Sequence, residues 1–247
     1  MPKFFVTQDK ITDNQIIIDT DDVSHISRVL RLGIGDIITV CDSQGSDYEA
    51  KISEIETKRI VCDIIEKKKS LSEPPIKVTL FQALPKASKM EYIIQKTTEL
   101  GISEIVPVKL ARCVVKIDNP KDEKKKIDRW QKISESAAKQ SGRGVVPIIS
   151  EIMTLQEVIE KSEEFDLFFA PYECEEQKTL KEMLLSKKDV KSVGFIIGPE
   201  GGFDIAEAEK LRENGIETVT LGKRILRTET AGEAVLAMTM YEIGDIN

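Results

Sequence analysis

"SVGFIIGPEGGFDIAEAEKL", residues 192–211, decides the fold. Its first half is an apolar run of the kind found in strands buried on both faces. Its second half opens a helix, with Asp204 as N-cap and Glu207 three residues later completing a capping box. A strand, a short loop and a helix in immediate succession form the repeating step of a parallel α/β sheet. The loop between them, "GPEGG", leaves the carboxyl end of its strand, where open parallel sheets bind ligands. Gly201 and Gly202 admit positive φ and close backbone approach, which suits a loop wrapped around a ligand.

The same alternation extends on both sides. "KVTLFQAL" reads as a strand, "KMEYIIQKTTELG" as a helix stopped by Gly101, and "EIVPVKL" as a strand. A long helix follows over 121–141, and further helices are expected at 154–162, 176–187 and 204–214. "FDLFFAP" is a buried strand, "ETVTLG" the last strand, and residues 230–243 the last helix. Thr154-x-x-Glu157 and Thr230-x-x-Glu233 are capping-box starts, which makes Thr230 the expected N-cap of that last helix. The first 70 residues differ: "QIIID", "DIITVCD", "YEAKISEIE" and "RIVCDIIEK" are β-branched or alternating, with one helix at about 21–31. "KKKSLSEPPIK", residues 67–77, reads as a linker. The expectation is a small β-rich module over 1–72 and an α/β domain over 73–247.

Composition removes several classes. The four cysteines form no CxxC pair and His25 is the single histidine, so no metal centre and no disulfide framework is expected. The start, "MPKFFVTQDK", has no apolar h-region, and no uncharged run approaches a membrane span, so a cytoplasmic protein without a membrane partner is expected. The net charge of −7 hides an asymmetry: residues 77–147 carry 15 basic and 8 acidic side chains, while 148–247 carry 11 and 21. Local basic surface is what a phosphate backbone feels. The same lysines also fit a solvated helix face, and charge alone leaves both readings open. The "GPEGG" loop is no phosphate cradle: it lacks the GxGxxG and GxxxxGK[ST] spacings, and Glu200 would repel a pyrophosphate.

A second loop, "LGKRILRTETA" at 221–231, stands between the last strand and the last helix. Taken with "IGPEGGF" at 197–203, it resembles the signature of the RsmE family, SPOUT-class methyltransferases that act on N3 of a uridine in small-subunit (16S) ribosomal RNA. "HISRVLRLGIGD" (25–36), "KMEYIIQKTTELGISEIVP" (89–107), "RC" (112–113) and "RWQKISESAAKQSGRGVVP" (129–147) are similar to further blocks of that family, in the same order.

The resemblance implies a small PUA-like β-barrel module, an α/β domain with a C-terminal trefoil knot, S-adenosylmethionine as cofactor, and a homodimer acting on the 30S subunit. It implies a cofactor site at Ala170, Ile197, Gly198, Glu200, Gly201, Leu221, Gly222, Ile225, Leu226 and Thr230. The candidates for catalysis are Arg227, Glu200 and Glu229. For RNA they are Arg28 and Arg31, three apart on one predicted helix, with Arg112, Lys116, Arg129 and Arg143, the last fitting an internal salt bridge equally well. Two other readings remain open: an RNA-binding protein without catalysis, and a nucleotide-dependent enzyme of doubly wound fold.

Overall fold

The computed structural model describes residues 3–115, 117 and 119–246. The chain forms two compact units: one is the chain up to Glu73 with Ala138–Val146, the other Pro74–Ala137 with the chain from Pro147.

The first unit is a five-stranded sheet. Its strands are β1 (Lys3–Phe5), β2 (Gln15–Ile18), β3 (Ile37–Cys41), β4 (Ser46–Ile55) and β5 (Ile60–Lys69), in the order β1-β3-β4-β5-β2. β1 runs parallel to β3 and every other pair is antiparallel. One face closes over Phe4, Ile16, Ile18, Ile38, Val40 and Ile52, the alternate residues of each strand. The helix expected at 21–31 is shorter: α1 (Asp22–Ser24) continues as a π turn over His25–Val29. Arg31 lies beyond it with a φ of 55°, so Arg28 and Arg31, both exposed, share no helical face.

Residues 138–146 were expected with the α/β domain, and they dock on the first unit instead. Glu73, in the segment read as a linker, accepts from Arg143 at 3.0 Å and 2.7 Å through its two oxygens. It also accepts from the backbone N–H groups of Gly144 at 2.6 Å and Val145 at 3.1 Å. Arg143 is buried, so the residue proposed for RNA is an internal ion-pair partner here. Gly144 is obligatory: a Cβ there would stand 2.2 Å from Ser70 Oγ. Lys3 Nζ bonds Asp47, Ser70 and the Gly142 carbonyl, closing the other flank. The linker is therefore a clamp, not a slack tether.

The second unit carries a seven-stranded parallel sheet flanked by helices. In chain order the elements are β6 (Lys77–Ala83), α2 (Lys89–Glu99), β7 (Glu104–Lys109), α3 (Pro120–Ser141), β8 (Ile148–Ile149), β9 (Met153–Thr154) and α4 (Leu155–Ser162). Then come β10 (Leu167–Pro171), α5 (Leu180–Leu185), β11 (Ser192–Ile197), α6 (Ile205–Glu213), β12 (Glu217–Val219) and α7 (Thr228–Ile243). The strand order is β12-β10-β11-β6-β7-β8, with β9 also on β7. Both faces are buried. Val78 and Leu80 of β6 belong to one core, and Phe81 and Ala83 to the core on the other face. Gly194 in β11 has no room for a side chain, since a Cβ would meet the Phe168 ring at 2.4 Å.

Two helices depart from expectation. α5 is shorter than 176–187, starting after Thr179, whose hydroxyl and Glu182 form a full capping box. α7 starts two residues early: its N-cap is Arg227, and Thr230 is an exposed residue inside the first turn. Among the described residues no helix is long and apolar enough to cross a membrane, and no group of three or more His, Cys, Asp or Glu side chains is placed to hold a metal ion.

Candidate active site

The chain leaves β6 at the middle of the sheet, adds β7 and β8 on one side, then crosses to build β10, β11 and β12 on the other. Ligands in such sheets lie beyond the carboxyl ends of the strands where the order switches. A cavity of about 1160 Å³ opens there, reached by Pro171 at the end of β10, Ile197 at the end of β11 and Thr220 just after β12. The loops after β11 and β12, "GPEGG" and 220–228, form most of its wall.

Of the residues expected to hold cofactor, Ile197, Gly198, Glu200, Gly201, Leu221, Gly222, Ile225 and Leu226 line the cavity. Ala170 lies behind it, fully buried in β10, with Pro171 presented in its place. Thr230 does not line it, because α7 begins earlier and Thr228 and Ala231 take that position. Ile225 lines it while 87% exposed. Tyr172 and Phe203 supply the aromatic wall, meeting edge to face at 6.3 Å, with Arg212 stacked 5.4 Å from the tyrosine ring.

Three devices fix the glycine loop. The first is buried: Gln82 Nε2 donates to Thr228 Oγ1 at 2.9 Å, and that hydroxyl donates to the Gly198 carbonyl at 2.7 Å. This chain joins β6, the start of α7 and the loop after β11. The second is Arg112, whose guanidinium donates to the Gly201 carbonyl at 2.8 Å and pairs with Asp204 at 3.4 Å. The third is Lys89 at the start of α2, 3.2 Å from Glu200 and 3.1 Å from Glu229. Gly198 is needed for this packing, since a Cβ there would press at 3.2 Å on the backbone of Gly202 and Phe203. Gly202 adopts a φ of +67°, the left-handed conformation that glycine takes without strain.

Charges of both signs line the cavity: Glu173, Glu175, Glu176 and Glu200, and Lys223, Arg224 and Arg227. Burial pushes the Glu200 carboxyl up. Bonds from the Lys86 and Glu200 N–H groups and from Lys89 outweigh that, leaving it below its ordinary value. An ionised Glu200 held this way is a weak base. Glu229 faces Lys89 and does not line the cavity.

Glu233, one turn further along α7, is displaced the other way. Burial raises its carboxyl above the ordinary 4.5, Lys96 opposes this, and Glu229 and Glu99 add to it. Its Oε1 is buried without a hydrogen-bond partner. The unfolded chain therefore ionises first, and Glu233 destabilises the fold once pH rises through its raised folded-state value. Glu233→Gln is expected to leave the melting temperature unchanged below pH 4.5 and to raise it at neutral pH. Melts across the acid range check this, and an equal change at every pH would contradict it.

The described candidates for RNA in this unit are engaged within it. Arg112 is tied to the glycine loop, and Arg129, though exposed, pairs with Glu91 at 2.7 Å. Lys116 lies outside the described residues. Sequence reading missed Gln82, Lys89 and Thr228. The spacing T-x-T around Glu229 carried a weak signal for Thr228, but nothing local marked Gln82 or Lys89.

The cavity suits S-adenosylmethionine. Its glycine cradle admits a ligand against backbone, its aromatic wall fits adenine, and its acidic side chains fit a sulfonium and an ammonium group. Its volume of about 1160 Å³ stands just above the roughly 300–1,000 Å³ usual for ligand pockets. Fold and site define an RNA methyltransferase: residues 72–240 match the RNA methyltransferase domain family and 18–65 the RNA methyltransferase PUA domain. The chain belongs to the family of ribosomal RNA small subunit methyltransferase E, whose cofactor is S-adenosylmethionine. It is 35% identical to that protein of Bacillus subtilis (strain 168) over 252 residues, covering 98% of this chain and 97% of the relative. The crystal structure of the Neisseria gonorrhoeae protein, bound to S-adenosylmethionine, is 31% identical with a TM-score of 0.86 and covers 100% of both chains. A Legionella pneumophila methyltransferase in complex with the same cofactor is 26% identical, with a TM-score of 0.84 over 99% of both.

Proposed function

We propose that this protein transfers the methyl group of S-adenosylmethionine to N3 of one uridine in 16S ribosomal RNA, on the assembled small subunit. The observation that carries the reading is the convergence of the "GPEGG" and "LGKRILRTETA" loops on one cavity at the carboxyl ends of β10, β11 and β12. The cofactor supplies an electrophilic methyl whose C–S bond breaks with its electron pair staying on sulfur. Uracil N3 is an imide nitrogen that attacks once its proton leaves to water. Alignment of the two reactants contributes roughly 7–11 kcal/mol in such transfers. Arg227, which lines the cavity at the start of α7, stabilises the uracil oxygen that gains charge as the proton departs. Glu200 and Glu229 act through Lys89 as positioning groups and not as bases, and the proton goes to water.

The other parts of the reading follow the family resemblance. The first unit is the barrel-like RNA-binding module, with Arg28 and Arg31 among its contacts, and residues 73–247 form the methyltransferase domain. The loops after β11 and β12 belong to a SPOUT trefoil knot. The working form is a cytoplasmic homodimer. In support of a dimer, α7 exposes two large apolar side chains, Met238 at 40% and Tyr241 at 70%.

A tritium-methyl transfer assay tests the function, with unmodified small subunits and deproteinised ribosomal RNA in parallel, followed by nucleoside analysis. A single 3-methyluridine, formed faster on subunits, is the expected product. Cofactor binding without labelled RNA would overturn the substrate, and absence of cofactor binding would overturn the enzyme.

A further inference from the structure

The segment Lys223–Arg227 is an irregular loop between β12 and α7, and every residue in it lines the cavity. It carries three cations in five residues, in the part of the chain where acidic side chains outnumber basic ones 21 to 11. Among the described residues, the side chains of Lys223, Arg224 and Arg227 have no ion pair and no hydrogen bond. Three of the cations expected to contact RNA are committed elsewhere: Arg143 to Glu73, Arg129 to Glu91 and Arg112 to the glycine loop. Between the unpaired cations stands Ile225, 87% exposed. A lone exposed isoleucine is ordinary. One set among three free cations at the mouth of a cavity that must admit a base has a specific use.

We propose that this loop is the element that grips the substrate RNA strand at the cavity mouth. Lys223 and Arg224 lie on phosphates flanking the target, and Ile225 fills the space vacated when the target base leaves its stack. This rests on the methyltransferase reading and deepens it. An enzyme acting on a base must take that base out of the stack, and an apolar wedge between steps holds it out. Arg227, last in the loop, then meets the extruded base beside the cofactor, so one loop covers phosphate, neighbouring base and target.

The test uses the full chain and unmodified small subunits, with binding measured over a range of salt concentrations and without cofactor. K223Q/R224Q is expected to lower the slope of log affinity against log salt by about 1.4, about 0.7 for each phosphate no longer neutralised. Affinity at about 0.1 M salt falls roughly tenfold. I225A is expected to lower kcat at saturating RNA by about 10-fold or more, with I225L largely restoring it and S-adenosylmethionine affinity unchanged within about twofold. A slope equal to the wild type's would overturn the phosphate-gripping role. Loss of cofactor affinity in I225A with kcat preserved would make Ile225 a cofactor wall and overturn the wedge. Dissociation of I225A into monomers on sedimentation would make the loop an interface between copies and overturn the proposal. Failure of the wild type to bind cofactor by calorimetry would instead sink the methyltransferase reading, while the salt slope still judges the loop.

Discussion

Glu73→Ala is expected to destabilise the first unit by about 3–5 kcal/mol, the cost of removing one partner of a buried ion pair. The Arg143 side chain is 4% exposed and loses its carboxylate, while the N–H groups of Gly144 and Val145 lose their acceptor. Glu73→Gln keeps one oxygen for the two N–H groups and is expected to cost about half as much. Replacing both partners with apolar residues of similar volume is expected to cost less than either Glu73→Ala or its Arg143 counterpart. Urea unfolding followed by far-UV circular dichroism measures these differences. Trp130, the single tryptophan, belongs to the second unit and reports on that unit separately. A Glu73→Ala protein unfolding with the wild-type midpoint would show that the clamp contributes nothing.

That clamp marks where sequence reading stopped. The strands of the first sheet and five of the seven in the second were legible because their cores impose a period of two or a continuous apolar run, and both patterns are local; β8 and β9, two residues each, are too short to show either. The capping boxes at Thr154 and Asp204 were legible for the same reason. "QSGRG" and "KKKSLSEPPIK" carry no such pattern: each looks like solvated polar chain until the other is placed beside it. Arg143 and Glu73 are 70 residues apart, and nothing in either segment names its partner. Arg31 failed differently. A spacing of three places two arginines on one face only while the helix lasts, and this one ends in a π turn at Val29.

The site was legible at the level of loops and illegible at the level of supports. Glycines and an Asp204 cap after an apolar strand announce a ligand loop from a few adjacent residues. Lys89 and Gln82 act on that loop from α2 and β6, more than 100 residues upstream. Thr230 was misread because T-x-x-E fits a capping box, yet Thr228 begins the helix. Tertiary partners decided it: the Thr228 hydroxyl is engaged by Gln82 and the Gly198 carbonyl, and Glu233 faces Lys96 and burial instead of the helix start.

Thr228→Val is therefore expected to weaken S-adenosylmethionine binding by about 10–100-fold, more than any other single change at the glycine loop. Valine matches threonine in shape and removes one oxygen, so the effect reads the hydrogen bonds alone. Gly198 loses the donor to its carbonyl, and Gln82 Nε2 keeps only the Ala83 carbonyl, 3.0 Å away. Gln82 already has its Oε1 buried without a partner, so the amide has no second bond to fall back on. A buried group left unsatisfied costs about 1–3 kcal/mol, and each 1.4 kcal/mol that appears in binding is about tenfold in Kd. The cost appears in binding because the severed link ties two cavity-lining segments, the start of α7 and the "GPEGG" loop, to β6, and a loop free to shift must be ordered again by the ligand. Thr228→Ser retains both bonds and is expected to bind within about threefold of wild type. Calorimetry with a parallel thermal melt separates the outcomes. A lowered melting temperature with unchanged cofactor affinity would mean that Thr228 supports the fold and leaves the loop where it was.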